Sequence, residues 1–149
     1  MIRLIMAIAT GLYSGYLPKA PGTWGSVVGL ILYFFLRTLS LPAYLTTVGV
    51  LLVVGTFAAG SAEKIMDRKD PGQVVIDEIV GMLITLAAAP AQPLVWLLGF
   101  GLFRFFDIIK PFPIHWIDKR IQGGVGIMMD DVVAGLYSFL VLQGLLLFL

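Results

Sequence analysis

Long apolar runs separated by short polar stretches dominate this sequence of 149 residues. The runs are Ser26–Leu39, Leu41–Ala62, Ile79–Phe106 and Val132–Leu149. A helix needs about 20 mostly apolar residues to cross a bilayer, and these runs approach or exceed that length. The segment Pro90–Pro93 divides the third run into two shorter helices, because proline removes a helix donor. The pattern therefore predicts an all-α, multi-span helical membrane protein with four to five transmembrane or membrane-embedded helices.

The N-terminal segment, residues 1–15, is predicted to form an additional helix at the membrane interface. It contains a single early charge, Arg3, and a short apolar stretch. The residues Tyr13–Lys19 lack the small-residue cleavage pattern of a secretory signal peptide, so we expect the segment to be retained. No linker or change of composition divides the chain, and we expect a single membrane-embedded domain over residues 1–149.

Composition supports membrane insertion and excludes several kinds of chemistry. Hydrophobic residues make up 59% of the chain and charged residues 13%, whereas soluble domains average about 25% charged residues. The absence of cysteine excludes disulfides, thiolate metal ligands and a cysteine nucleophile. The net charge is only +1 and no basic tract is present, so nucleic acid is not an expected partner.

The charged residues fall on one side of the predicted membrane. If the N-terminus is cytoplasmic and each apolar segment crosses, nine of the ten Lys and Arg residues lie on one side and only Arg37 on the other. Cytoplasmic loops of membrane proteins carry an excess of Lys and Arg, so the nine are assigned to the cytoplasm. All nine carboxylates fall on that same side. We therefore expect a protein of the bacterial cytoplasmic (inner) membrane whose active site faces the cytoplasm.

Two adjacent acidic pairs precede apolar runs, Asp77 with Glu78 and Asp130 with Asp131. One acid at each helix start would be explained by capping and by the helix dipole. Two neighbouring like charges beside hydrocarbon are unfavourable unless a cation or a basic side chain compensates them. The pairs are therefore candidate ligands of a metal ion, while Glu63, Asp67 and Asp118 are expected to be solvated loop charges.

A third group of candidates comprises Arg104, Asp107 and Lys110, which are spaced i, i+3 and i+6 and would share a helix face. In one interpretation the two cations extend to lipid headgroups and Asp107 is their counterion. In the other, Asp107 joins the remaining carboxylates while Arg104 and Lys110 hold phosphate oxygens.

The loop before the first long run has the composition of an anion-binding turn. It contains glycines, the hydroxyl residues Thr23 and Ser26, and Lys19, and it would present backbone amides to a phosphate. A glycine- and proline-containing turn at the membrane interface is an equally good interpretation. The loop is not a Walker motif, because GxxxxGK[ST] is missing.

The candidate ligands are all oxygen donors. Carboxylate-rich sites of this kind favour Mg²⁺ or Mn²⁺ over zinc. The only histidine, His115, lies beside Trp116 and is interpreted as a surface residue at headgroup level. A water activated by a metal ion and a carboxylate is therefore the expected route for any hydrolysis.

Four segments together resemble the phosphatidylglycerophosphatase A family of small bacterial membrane enzymes, and the resemblance covers nearly the whole chain. The segments are Ser14–Ser26, Asp70–Pro71 leading to Val75–Gly81, Phe103–Ile114 and Gly123–Gly135. The resemblance implies a Mg²⁺-dependent phosphatase domain that converts the phospholipid phosphatidylglycerophosphate to phosphatidylglycerol. It fits a site in which Asp77, Glu78, Asp107, Asp130 and Asp131 bind the metal and activate water, and Arg104, Lys110, Lys19, Thr23 and Ser26 bind phosphate. Asp70 is a candidate for a residue that positions these ligands without binding the metal itself.

Three alternatives remain open, one of which is a structural scaffold that would leave the paired acids unexplained. A phosphotransferase that joins a CDP-activated lipid to an alcohol would also use clustered aspartates, but its D-x₂-D-G-x₂-A-R run is absent. A carrier or channel would use the acids to bind cations without chemistry, but the apolar runs contain almost no polar residues that could line a path.

Overall fold

The computed structural model describes residues 1–149 and contains helices and no strands. This confirms the all-α class. A short 3₁₀ turn, Ser14–Tyr16, lies between the first two helices. The seven α-helices are α1 (Ile2–Ala9), α2 (Pro21–Leu36), α3 (Leu41–Ile65), α4 (Ile76–Thr85), α5 (Pro93–Ile109), α6 (Ile114–Arg120) and α7 (Gly123–Leu146).

The helix boundaries follow the apolar pattern in the middle of the chain and differ from it at two helix starts. The break at Pro90–Pro93 is present, since α4 ends at Thr85 and α5 begins at Pro93. Helix α2 begins at Pro21, inside the segment expected to be a loop. Helix α7 begins at Gly123, so the prediction that Asp130 precedes the last helix was wrong. The second acidic pair lies within that helix.

Helix α4 is the centre of the fold. Eight of its ten residues are buried, and α2, α3, α5 and α7 pack around it. The close approach of α4 to α5 and α7 depends on Gly81. A Cβ atom there would lie 2.5 Å from Cε2 of Phe103 and 2.9 Å from the carbonyl oxygen of Asp131. Any side chain at this position would therefore separate α4 from the part of α7 that carries the acidic pair.

Two helices, α3 and α7, are long and apolar enough to cross a membrane, with 25 and 24 residues. Helix α2 is a shorter apolar helix. Large apolar side chains of α3, among them Val50, Val53 and Phe57, are exposed on the outside of the bundle. Such a surface is unfavourable in water and suits lipid. The count of four to five spans and the interfacial position of α1 remain predictions.

Candidate functional site

Three carboxylates from two helices converge at the crossing of α4 and α7. Asp77 is in the first turn of α4, and Asp130 and Asp131 are adjacent in α7. One carboxylate oxygen from each residue lies within 4.8 Å of the other two. All three side chains are buried. The structure therefore unites members of both acidic pairs, which are separated by more than 50 residues in the sequence.

Several oxygens of this acidic group lack a hydrogen-bond donor. Asp77 Oδ1, Asp131 Oδ1 and the neighbouring Glu78 Oε2 are buried and have no partner. Buried polar atoms are almost always hydrogen-bonded, because an unpaired one loses its hydration without compensation. A divalent cation with oxygen ligands would satisfy the atoms of Asp77 and Asp131, and the all-carboxylate donor set suits Mg²⁺ or a similar hard ion. The residues present therefore fit a metal site.

Two basic side chains lie at the site, and each has its own acidic partners. Arg104 of α5 forms an ion pair with Asp107, one turn further along the same helix. Lys110 Nζ lies 3.0 Å from Asp130 Oδ2 and 3.6 Å from Asp118 Oδ1. Burial would lower the pKa of Lys110, but the carboxylates of Asp130 and Asp118 outweigh it and raise that pKa above its ordinary value. Lys110 is therefore firmly protonated beside the cluster.

Lys110 does not share a helix face with Arg104, contrary to the i, i+3, i+6 spacing. Helix α5 ends at Ile109, and Lys110 adopts a left-handed conformation with φ of 52°. This turn directs its side chain to α7 instead of along α5. Asp118, interpreted from the sequence as a solvated loop charge, lies in α6 and shares the lysine with Asp130.

The start of α2 closes one side of the site. A Cβ on Gly22 would lie 2.8 Å from Glu78 Oε1 and 3.2 Å from Arg104 Nη1. The glycine therefore allows the backbone of α2 to approach a carboxylate and a guanidinium together. Gly22 was not singled out from the sequence, although its place beside the expected anion-binding residues was a usable signal.

The three predicted phosphate ligands from this segment form no hydrogen bond or ion pair with the carboxylates. Lys19 is exposed and forms no ion pair. The Ser26 hydroxyl donates a hydrogen bond to the Gly22 carbonyl oxygen at 2.9 Å. Thr23 lies half-buried in the first turn of α2. Their role as phosphate ligands remains a prediction.

Fold and site together define a helical protein with membrane-compatible helices and a buried carboxylate cluster that is able to hold a cation, with an arginine and a lysine on neighbouring residues of the site. The chain belongs to the phosphatidylglycerophosphatase A family, whose family model matches residues 7–146. The resemblance found in the four sequence segments is thereby confirmed.

Three proteins are similar in sequence to this chain along most of their own length. Phosphatidylglycerophosphatase A of Haemophilus influenzae is 41% identical over 143 residues, which cover 95% of this chain and 88% of that protein. The Escherichia coli protein of the same name is 39% identical over 132 residues, covering 88% and 77%. A Bacteroides thetaiotaomicron protein, provisionally named a phosphatidylinositol-3-phosphatase, is 42% identical and covers 93% and 91%. No solved structure matches the chain.

Proposed function

We propose that this protein hydrolyses the terminal phosphomonoester of phosphatidylglycerophosphate, releasing phosphatidylglycerol and inorganic phosphate. The observation that carries the proposal is the convergence of Asp77, Asp130 and Asp131 within 4.8 Å, with one oxygen of Asp77 and one of Asp131 that have no hydrogen-bond donor. The substrate is taken from the names of the Haemophilus and Escherichia relatives. An acidic site flanked by fixed positive charges is suited to that reaction.

Asp77, Asp130 and Asp131 would hold a Mg²⁺ ion through the oxygens that face one another. When bound, the cation would supply positive charge that stabilises the transferring phosphoryl group and favours deprotonation of the attacking water. The adjacent position of two ligands on α7 fixes them relative to each other. The crossing at Gly81 then fixes Asp77 relative to both.

Arg104 and Lys110 would neutralise the charge that the phosphoryl oxygens carry during transfer, since positioning and electrostatics dominate such reactions. Each is held by a carboxylate, Arg104 by Asp107 and Lys110 by Asp130, so each head group is oriented before the substrate arrives. Asp107 is therefore assigned to orient the guanidinium. It also remains one of the five metal ligands predicted from the sequence.

Glu78 is the best candidate for the general base that accepts the proton of water. Its Oε2 atom is buried without a donor, and its Oε1 atom lies beside the position where α2 and Arg104 meet. It does not belong to the group of three carboxylates that converge. Glu78 is thus free to receive a proton while the other three hold the cation.

The reaction would take place at the cytoplasmic face of the inner membrane, where the acyl chains remain in the bilayer. The support for this orientation is the sequence count of nine basic residues against one. Further apolar helices, α2 among them, would join α3 and α7 to complete a multi-pass protein.

The test is phosphate release from purified protein with phosphatidylglycerophosphate, first with Mg²⁺ and then with EDTA. We expect release with Mg²⁺ and loss of it with EDTA. No release from well-folded protein, or equal release with EDTA, would refute the proposal. Asp77→Asn, Asp107→Asn and Asp131→Asn should each be impaired, whereas Asp67→Asn, at an exposed residue without an ion pair, should not.

The name of the Bacteroides relative gives a second candidate substrate, phosphatidylinositol 3-phosphate. The same assay with this lipid separates the two. A kcat/KM for phosphatidylinositol 3-phosphate that exceeds that for phosphatidylglycerophosphate would replace the proposed substrate and leave the site assignment unchanged.

A further inference from the structure

A groove of about 580 Å³ is lined in part by Lys110. It is formed where α5 ends, by the loop that follows and by α6. Its basic lining residues are Lys110, His115, Lys119 and Arg120, and no carboxylate lines it. Neither the proposed mechanism nor the family match assigns a role to this groove.

Two of the basic side chains that line the groove have no acidic partner. Lys119 and Arg120 are exposed and form no ion pair, whereas Lys110 is shared between Asp130 and Asp118. Both lie in the last turn of α6, so the residual positive charge is concentrated at the C-terminal end of that helix. Two unpaired cations beside an acid-free surface are complementary to an anion.

The groove also has an apolar wall, which distinguishes it from a general basic patch. Phe112 is 80% exposed and Trp116 is 50% exposed, and both line it. The loop that carries Phe112 is attached to α7, because Tyr137 donates a hydrogen bond to the Phe112 carbonyl oxygen at 2.8 Å. A ligand that is anionic at one end and apolar at the other, as a phospholipid is, would therefore find a complementary surface for both parts here.

We propose that this groove binds the phosphodiester of the lipid substrate, with Lys119 and Arg120 contacting its oxygens and Phe112 and Trp116 contacting the start of the acyl chains. The inference rests on the proposed function. Phosphatidylglycerophosphate has two phosphates joined by one glycerol unit, and Lys110 lines the groove while contacting Asp130 of the carboxylate cluster. One lipid could therefore place its terminal phosphate at the cluster and its phosphodiester in the groove.

The first experiment measures binding without catalysis. Metal-free protein with EDTA, in neutral detergent, is titrated with phosphatidylglycerol whose acyl chains are brominated, and quenching of tryptophan fluorescence is recorded. Phosphatidylglycerol has the phosphodiester but no terminal phosphate. The variant Trp116→Phe identifies the part of the signal that comes from the groove.

The charge-removing variant is Lys119→Gln with Arg120→Gln. Its matched control is Lys64→Gln with Arg68→Gln, which removes the same charge from two exposed residues without ion pairs. We expect the groove variant to raise the Kd for phosphatidylglycerol about tenfold, and the control to leave it within about twofold. An unchanged Kd in the groove variant, or an equal loss in the control, would overturn the proposal.

The second experiment measures turnover with Mg²⁺. The groove variant should raise KM for phosphatidylglycerophosphate with little change in kcat, and should leave turnover of phosphatidate, which lacks a phosphodiester, unchanged. Equal effects on both lipids would overturn the assignment. If wild-type protein binds phosphatidylglycerol through Lys119 and Arg120 but releases no phosphate, the proposed function fails and the groove assignment stands.

Discussion

Asp131→Asn should make the metal-free protein more stable while it abolishes the effect of Mg²⁺. Asp131 is the most deeply buried of the three converging carboxylates, at 1% exposure, and its Oδ1 atom has no donor. The substitution removes one negative charge and adds an amide donor beside Asp77 at nearly constant volume. A residue kept for packing alone would give the opposite sign, since most core substitutions destabilise.

The size of the effect follows from the distances. Two unit charges at 4.8 Å, the upper bound on the separations in this cluster, repel by about 3.5 kcal/mol at an effective dielectric constant of about 20. Asp131 takes part in two such pairs, but Lys110 and proton uptake by the cluster offset much of the repulsion. We therefore expect a net gain of about 1 to 3 kcal/mol in EDTA. For a chain of this length that is a rise of about 2 to 12 °C in Tm.

The assay is thermal unfolding in detergent, followed by tryptophan fluorescence with EDTA and with Mg²⁺. Wild-type protein should gain the equivalent of about 2.7 kcal/mol when Mg²⁺ is at one hundred times its Kd, and the variant should gain almost nothing. The control Asp67→Asn makes the same chemical change at an exposed residue with positive φ, which asparagine tolerates. A variant that is less stable than wild type in EDTA and keeps the Mg²⁺ shift would refute the assignment of Asp131 as a ligand.

Three further substitutions test the packing and the charges around the cluster. Gly81→Ala should lower the free energy of unfolding by about 1 to 3 kcal/mol, measured by thermal unfolding, because its methyl group would overlap α5 and α7. Its control is Gly101→Ala, where the methyl group would enter open space, and this variant should be neutral or stabilising. Gly22→Ala should lower phosphate release while Tm changes little, because the methyl group would displace Glu78 rather than a packed helix. Arg104→Lys should lower kcat about tenfold or more with Tm preserved, because the charge remains but the two-pronged guanidinium is lost. Wild-type turnover in Gly22→Ala or in Arg104→Lys would exclude the residue from the site.

The helical class, the break at Pro90–Pro93 and the pairing of Arg104 with Asp107 could be predicted from the sequence, because they depend on local rules. Proline removes a backbone donor wherever it stands, and residues three apart on a helix are neighbours. The acidic pair Asp77 and Glu78 was also placed correctly, in the first turn of a helix.

The start of α7 could not be predicted, because tertiary packing overrides local preference there. Gly123, Gly124 and Gly126 have low helix propensity, and the sequence favours a loop. In the structure, a Cβ on Gly124 would overlap the carbonyl oxygen of Thr56 on α3, so the glycine allows the two long helices to touch. The same contact extends α7 by two turns beyond its apolar run and moves Asp130 from the helix start to its interior.

The length of α7 on the other side of the acidic pair determines the depth of the site. Asp130 lies seven residues after Gly123, about 10 Å along α7, and the remaining 16 residues to Leu146 extend about 24 Å. These 16 residues are about 6 Å shorter than a hydrocarbon core of about 30 Å, so if α7 spans the bilayer the carboxylates lie within about one helical turn of the boundary between headgroups and acyl chains. A lipid phosphate is held at that level by its own acyl chains, whereas a soluble phosphomonoester would have to leave water to reach it. The position of the acidic pair, 16 residues before the end of α7, is therefore a structural reason to expect a lipid as substrate.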